Sequence, residues 1–127
     1  MKPKILNVNN LHEAQTQLVK IDVHPDGVQI MALKAVYRIV KFEAVNPKTA
    51  NIVKQEMLSR GGDVAVAGTV GKFEDKKTDM IIMGTLAQYV RLVRKLKVQS
   101  FNECLEIAQS LEDLLFKDFD VLSAPVW

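Results

Sequence analysis

The stretch ANIVKQEMLSRGGDVAVAG, residues 50–68, runs from a charged segment into a pair of glycines and then into small apolar residues. Two readings compete for the glycines. A phosphate-cradling loop runs strand, glycine, helix, so that open helix N–H groups point at the anion. A helix stop runs the other way. Upstream, Asn46 is a good N-cap and Pro47 a favoured first helical residue. Ala50, Val53, Met57 and Leu58 form one apolar stripe, and Ile52 falls on the opposite side. Arg60 sits in the last turn, where a cation suits the helix dipole. Gly61 then takes the left-handed stop position. The pair therefore closes a helix that begins at 46, and a strand over 63–68 follows.

Outward from this unit, KILNV (4–8) reads as a short strand. NNLHEAQTQLVKI reads as a helix, with Asn10 as N-cap, Glu13 three residues on, and Leu11, Ala14, Leu18 and Ile21 on one face. HPDG, with Pro25 and Asp26-Gly27, reads as a turn that ends it. Residues 28–45 are mixed in period. Ile30–Val36 reads as a short helix or irregular turn, and Tyr37–Val45 as a strand in which Val40 and Phe42 alternate with Lys41 and Glu43. TVGKFEDKK, containing Gly71, reads as a polar loop. TDMIIMGT (78–85) is a continuous apolar run that suits a central strand covered on both faces. Thr85 and Gln88 form a capping box that opens a helix with Leu86, Tyr89, Val90, Val93 and Leu96 on its core side. Ser100 and Glu103 form another, opening a helix whose core face holds Phe101, Cys104, Leu105, Ala108, Leu111 and Leu115. The last residues lose the period. Carrying Phe119, Val121, Val126 and Trp127, they either fold back on the domain or lead into a partner.

Strands alternating with helices predict an α/β two-layer sandwich, a mixed four-stranded sheet with three to four helices. Residues 1–116 form a single domain and 117–127 a C-terminal tail. The preference for right-handed crossovers makes strands 37–45 and 63–68 parallel neighbours. The 127 residues, 48% apolar and 25% charged, suit one domain with its own core. A net charge of +2 is too small to indicate nucleic acid or an anionic membrane. No apolar run approaches the roughly 20 residues of a membrane span. The N-terminus MKPKILNVNN lacks the apolar core of a signal peptide. A single cysteine, Cys104, favours a reducing compartment, and the cytoplasm is the expected location.

Few residues promise chemistry. Gly84-Thr85 has the order strand, turn, helix, so its amides suit an anionic or polar group, with Arg91 or Lys54 alongside; a tight turn plus an N-cap is the plainer reading. His12 and His24 lack partners at metal-ligand spacing, and Cys104 lies on a core stripe rather than beside a base. Arg91, Arg94, Lys95 and Lys97 read first as a solvated, C-terminal cationic face. No catalytic set, metal or cofactor is expected.

DGVQIMALKA (26–35), ANIVKQEMLSRGGDVAV (50–66) and TDMIIMGTLAQYVRLVRKLKVQSF (78–101) resemble the accessory domain that precedes the catalytic barrel in the longer dihydropteroate synthases of some bacteria. The run from Lys54 to Gly62 is the most specific part, and Met83 to Thr85 followed by a basic helix supports it. Relatives tend to carry a proline after Met-Ala, where this chain has Leu33. In that family the chemistry, joining a pterin pyrophosphate to p-aminobenzoate, belongs to a (β/α)₈ barrel of about 250 residues. The resemblance therefore implies a non-catalytic accessory or interaction domain that binds a dihydropteroate synthase barrel or itself. Ile52, Gln55 and Glu56 on one helix and Trp127 in the tail are the contact residues it would use. The rival reading is a small domain that binds a pterin-like or anionic ligand through Gly84, Thr85, Arg91 and Lys54.

Overall fold

Polar residues at the helix starts set the punctuation of this chain. The structure, a computed structural model, describes residues 1–68 and 76–126. Asn10 Oδ1 accepts the Glu13 N–H at 2.8 Å and opens α1 (Leu11–Lys20). His24 Nδ1 accepts the Asp26 N–H at 3.2 Å and opens α2 (Pro25–Lys34), so the Pro-Asp-Gly run begins a helix rather than ending one. The reason is that Pro25 occupies the first helical position, where its fixed φ suits and its missing N–H costs nothing. Leu33 lies buried inside α2. Asn46 Oδ1 caps α3 (Pro47–Ser59) through the Lys48 N–H at 2.9 Å.

The end of α3 follows the sequence reading closely. Gly61 has φ +90°. Its N–H reaches the Leu58 carbonyl at 3.2 Å, and the Gly62 N–H reaches Met57 at 2.9 Å, the paired bonds of a Schellman stop. β2 (Asp63–Val66) starts at once.

Among the described residues three strands, not four, form the sheet. Their order is β1-β3-β2, with β1 spanning Tyr37–Val45 and β3 spanning Thr78–Thr85. β3 is antiparallel to both neighbours, so Val40 and Val64 both face Ile82 across the ladder. β1 and β2 are therefore not neighbours: β3 lies between them, where its apolar run has strands on both sides. Residues 4–8 form no strand; Ile5 and Leu6 are exposed, Val8 packs against the core, and the Arg38 guanidinium donates to the carbonyl of Asn9 just beyond. A lone extended segment needs a paired neighbour, and this one runs toward α1 instead.

Of the five helices among the described residues, α3 and α4 (Leu86–Lys97) lie against the sheet, packing on β3, and α5 (Asn102–Leu115) packs on α4. Tyr89, Val90, Leu92, Val93 and Leu96 of α4 are fully buried among Val53, Met57, Met80 and Ile82. The Tyr89 hydroxyl, 2.9 Å from both the Arg38 and Ile82 carbonyls, anchors α4 to β1 and β3. Burial, with the Tyr37 charge second, pushes its phenol far above its ordinary pKa. α5 starts without a side-chain cap; Glu103 accepts the Asn46 N–H at 3.0 Å, linking two helix starts instead of closing a box with Ser100. Cys104 is buried, as its stripe indicated, and burial pushes its thiol up. The described part of the tail folds back: Val121 and Ala124 are buried, and Arg94 donates to their carbonyls at 2.8 and 2.6 Å.

The expected polar loop at 69–77 lies largely outside the described residues, and Trp127 lies wholly outside them.

Replacing Gly61 with alanine forces a Cβ into the left-handed region, 3.2 Å from Gln88 Nε2. The expected cost is about 1–2 kcal/mol. Chemical denaturation of Gly61→Ala beside the parent chain measures it.

Candidate functional site

The corner where α3 ends and α4 begins collects most of the polar groups the sequence singled out. Thr85 Oγ1 accepts the Gln88 N–H at 3.2 Å, and Gln88 Oε1 accepts the Thr85 N–H at 2.8 Å, the expected capping box. Gln88 Nε2 also donates to the Arg60 carbonyl at 2.9 Å. One side chain thus ties the start of α4 to the stop of α3. The backbones meet closely here: a Cβ on Gly62 would lie 2.8 Å from the Met83 carbonyl, and one on Gly84 would lie 2.6 Å from Met57 Cε. Gly84 is therefore a packing glycine. Leu86 donates its N–H to the Val36 carbonyl at 2.9 Å, so the first turn of α4 is largely satisfied within the chain.

Beside the corner lies an open groove of about 370 Å³ lined by Lys34, Ser59, Arg60, Thr85, Gln88 and Arg91. A second, of about 350 Å³, shares Arg60 and Arg91 and adds Arg94 and Lys95. Thr85 and Arg91, two of the four residues proposed for ligand contact, therefore come together. Lys54 does not join them; its Nζ donates to the Val64 carbonyl at 2.9 Å and lies 3.9 Å from Asp63. Lys34 and Arg60 are the residues that sequence reasoning missed. Both fall in or beside the last turn of a helix, but only the packing of α2 and α3 around α4 brings them to one place.

A different feature occupies the other side of the sheet. Tyr37 and Ile39 on β1 are 55% and 67% exposed, and Ile81 on β3 is 36% exposed. Ile39 faces Met83 across the ladder and Lys41 faces Ile81, so these side chains share one surface. β3 is central, as expected, yet its side chains alternate between buried and open along the strand rather than being covered on both faces. None of Tyr37, Ile39, Ile81 or Met83 belongs to the core that the helices bury.

The expected contact residues on α3 divide. Ile52 is half-buried against the core, Gln55 is exposed, and Glu56 is turned to Arg60 Nε at 3.2 Å. His12 and His24 are both exposed. A hollow of about 700 Å³ at the α1–α2 corner carries His24 and Asp22 among apolar residues. Among the described residues no group of three or more His, Cys, Asp or Glu side chains is placed to hold a metal ion. No described helix is long and apolar enough to cross a membrane.

No family model matches the chain, and no solved structure matches it. Over 96 residues it is 36% identical to a probable bifunctional folylpolyglutamate synthase/dihydropteroate synthase of Halobacterium salinarum. The matched stretch is 76% of this chain and 12% of that protein, so the chain spans a small part of the relative's length. It is related in sequence to part of a folate-pathway enzyme.

Gln88→Ala removes the side-chain half of the α4 capping box and the bond to Arg60, while Thr85 Oγ1 keeps its bond from the residue-88 N–H. The two side-chain bonds lost, one part-buried and one exposed, each contribute about 0.5–1.5 kcal/mol, so a loss of about 1–2 kcal/mol is expected. Thermal unfolding checks this, and Lys54→Ala, outside the corner, serves as the comparison.

Proposed function

We propose that this chain is an accessory module of a dihydropteroate synthase, docking on the enzyme's catalytic unit through the bare face of its sheet. The observation that carries this reading is the 96-residue match to a small part of a bifunctional enzyme. Most of that relative lies beyond the match, so in it the equivalent segment is joined to a much larger body of protein. Of the two activities in its name, the Lys54–Gly62 and Met83–Thr85 motifs favour the dihydropteroate synthase side. The role is non-catalytic: the chain acts by holding or shaping the enzyme beside it, in the cytoplasm.

The bare sheet face supports this mode of action. Exposed isoleucines and a tyrosine on adjacent strands form an apolar patch of the kind that marks interaction sites. Lys41 and Asp79, 3.9 Å apart, add a charged pair on the same strands. The outer α3 residues Gln55 and Glu56 are a weaker surface, since Glu56 is already engaged by Arg60.

Co-purification with a dihydropteroate synthase from the same organism tests the reading. The parent chain is expected to co-elute with the enzyme. The double variant Ile39→Lys, Ile81→Lys is expected to lose that association by at least about tenfold while keeping its melting temperature, because burying two unpaired lysines is costly and exposing them is not. No association of the parent chain contradicts the proposal. So does a stable homodimer that the same variant disperses, which would make a second copy the occupant.

A further inference from the structure

We propose that the paired grooves at the α3–α4 corner bind a small molecule carrying two linked phosphate groups. Five cationic side chains line the two grooves: Lys34, Arg60, Arg91, Arg94 and Lys95. Among the described residues no Asp or Glu lines either one. In a chain whose net charge is only +2, that concentration is local rather than general. Fields from such a cluster focus in a concave surface and raise the local concentration of anions.

The way the cations are held matters as much as their number. Arg94 is fixed by two neutral carbonyls, those of Val121 and Ala124, which orient the guanidinium without cancelling its charge. Asp120 lies in the same tail, but its carboxylate is held below the usual range first by the Ser123 hydroxyl and the Leu122 N–H, with Arg94 the smallest contributor. Arg60 is steadied by Glu56 through Nε at 3.2 Å. Arg91, Lys34 and Lys95 have no ion-pair partner among the described residues. Thr85 Oγ1 accepts from the Gln88 N–H, so the hydroxyl's own hydrogen remains available to an acceptor in the groove.

Two linked groups fit better than one. Arg60 and Arg91 belong to both grooves, whereas Lys34 and Thr85 line only the first and Arg94 and Lys95 only the second. One anionic centre in each groove would share the two arginines between them. Guanidinium forks match phosphate oxygens in pairs, which makes a linked phosphate the natural occupant of an arginine-rich double site. Ile39 and Ile81 line neither groove, so this site is independent of the docking face and survives if that reading fails.

Thermal shift and calorimetry on the full chain test the proposal with inorganic pyrophosphate as probe, orthophosphate and citrate at matched ionic strength as comparators. Pyrophosphate is expected to raise the melting temperature saturably, and orthophosphate at the same concentration to raise it far less. Arg91→Ala is expected to weaken pyrophosphate binding at least about tenfold, the usual size for one charge-assisted contact. Arg91→Lys should restore part of it, and Lys54→Ala should leave it unchanged. Equal shifts from all three anions would mean general ionic screening and would overturn the proposal. Preference for citrate, or binding that Arg91→Ala leaves intact, would overturn it as well.

Discussion

The bond from Gln88 Nε2 to the Arg60 carbonyl fixes the corner on which the rest of this fold depends. The same amide closes the cap of α4 through its oxygen. Two glycines let the backbones meet there, and Met57 Cε fills the space that their missing Cβ atoms leave. With α3 ending and α4 starting at one point, both helices must lie on the same side of β3. The Tyr89 hydroxyl holds α4 down on the strands, and α5 then covers α4 rather than the sheet. The opposite face is left to Tyr37, Ile39, Ile81 and Met83.

That one-sidedness joins the architecture to the proposed role. An open antiparallel sheet tolerates a solvated outer face when that face is polar. Here Lys41 and Asp79 are polar, but isoleucines lie among them on β1 and β3. Fully burying one aliphatic side chain is worth about 1.5–3 kcal/mol, so two exposed isoleucines and a tyrosine hold a useful store of docking energy. The cationic corner lies on the helical side and is built from α2, α3 and α4 together with the end of β3. A protein surface and a ligand groove on different faces allow one small domain to contact an enzyme and an anion at once.

Much of this was legible in the residues, and the failures share a cause. The caps at Asn10, Asn46 and Thr85, the stop at Gly61 and the bounds of β1 are local events, set by neighbours within a few positions. The α/β two-layer arrangement followed from their order. The central place of β3 was legible in its apolar run, but the pairing was not: β1 and β2 each pair antiparallel with β3 instead of lying parallel beside one another. Glu103 was misassigned because a carboxylate near a helix start can serve another helix's N–H, here Asn46. Pro25-Asp26-Gly27 carries signals common to turns and helix starts, and only His24 as cap separates them. At the corner, Thr85 and Arg91 share a helix start and were found together. Lys34 and Arg60 arrive from other helices, and Lys54, near in sequence to Arg60, points to Val64 instead.

Isoleucine δ1-methyl NMR spectra of the chain, recorded while a dihydropteroate synthase catalytic unit is added, test the central claim most directly. The signals of Ile39 and Ile81, exposed on the sheet, should shift or broaden, while those of buried Ile82 and Ile107 hold their positions. Perturbation confined to Ile52 on α3, or no perturbation at any isoleucine, would contradict the account.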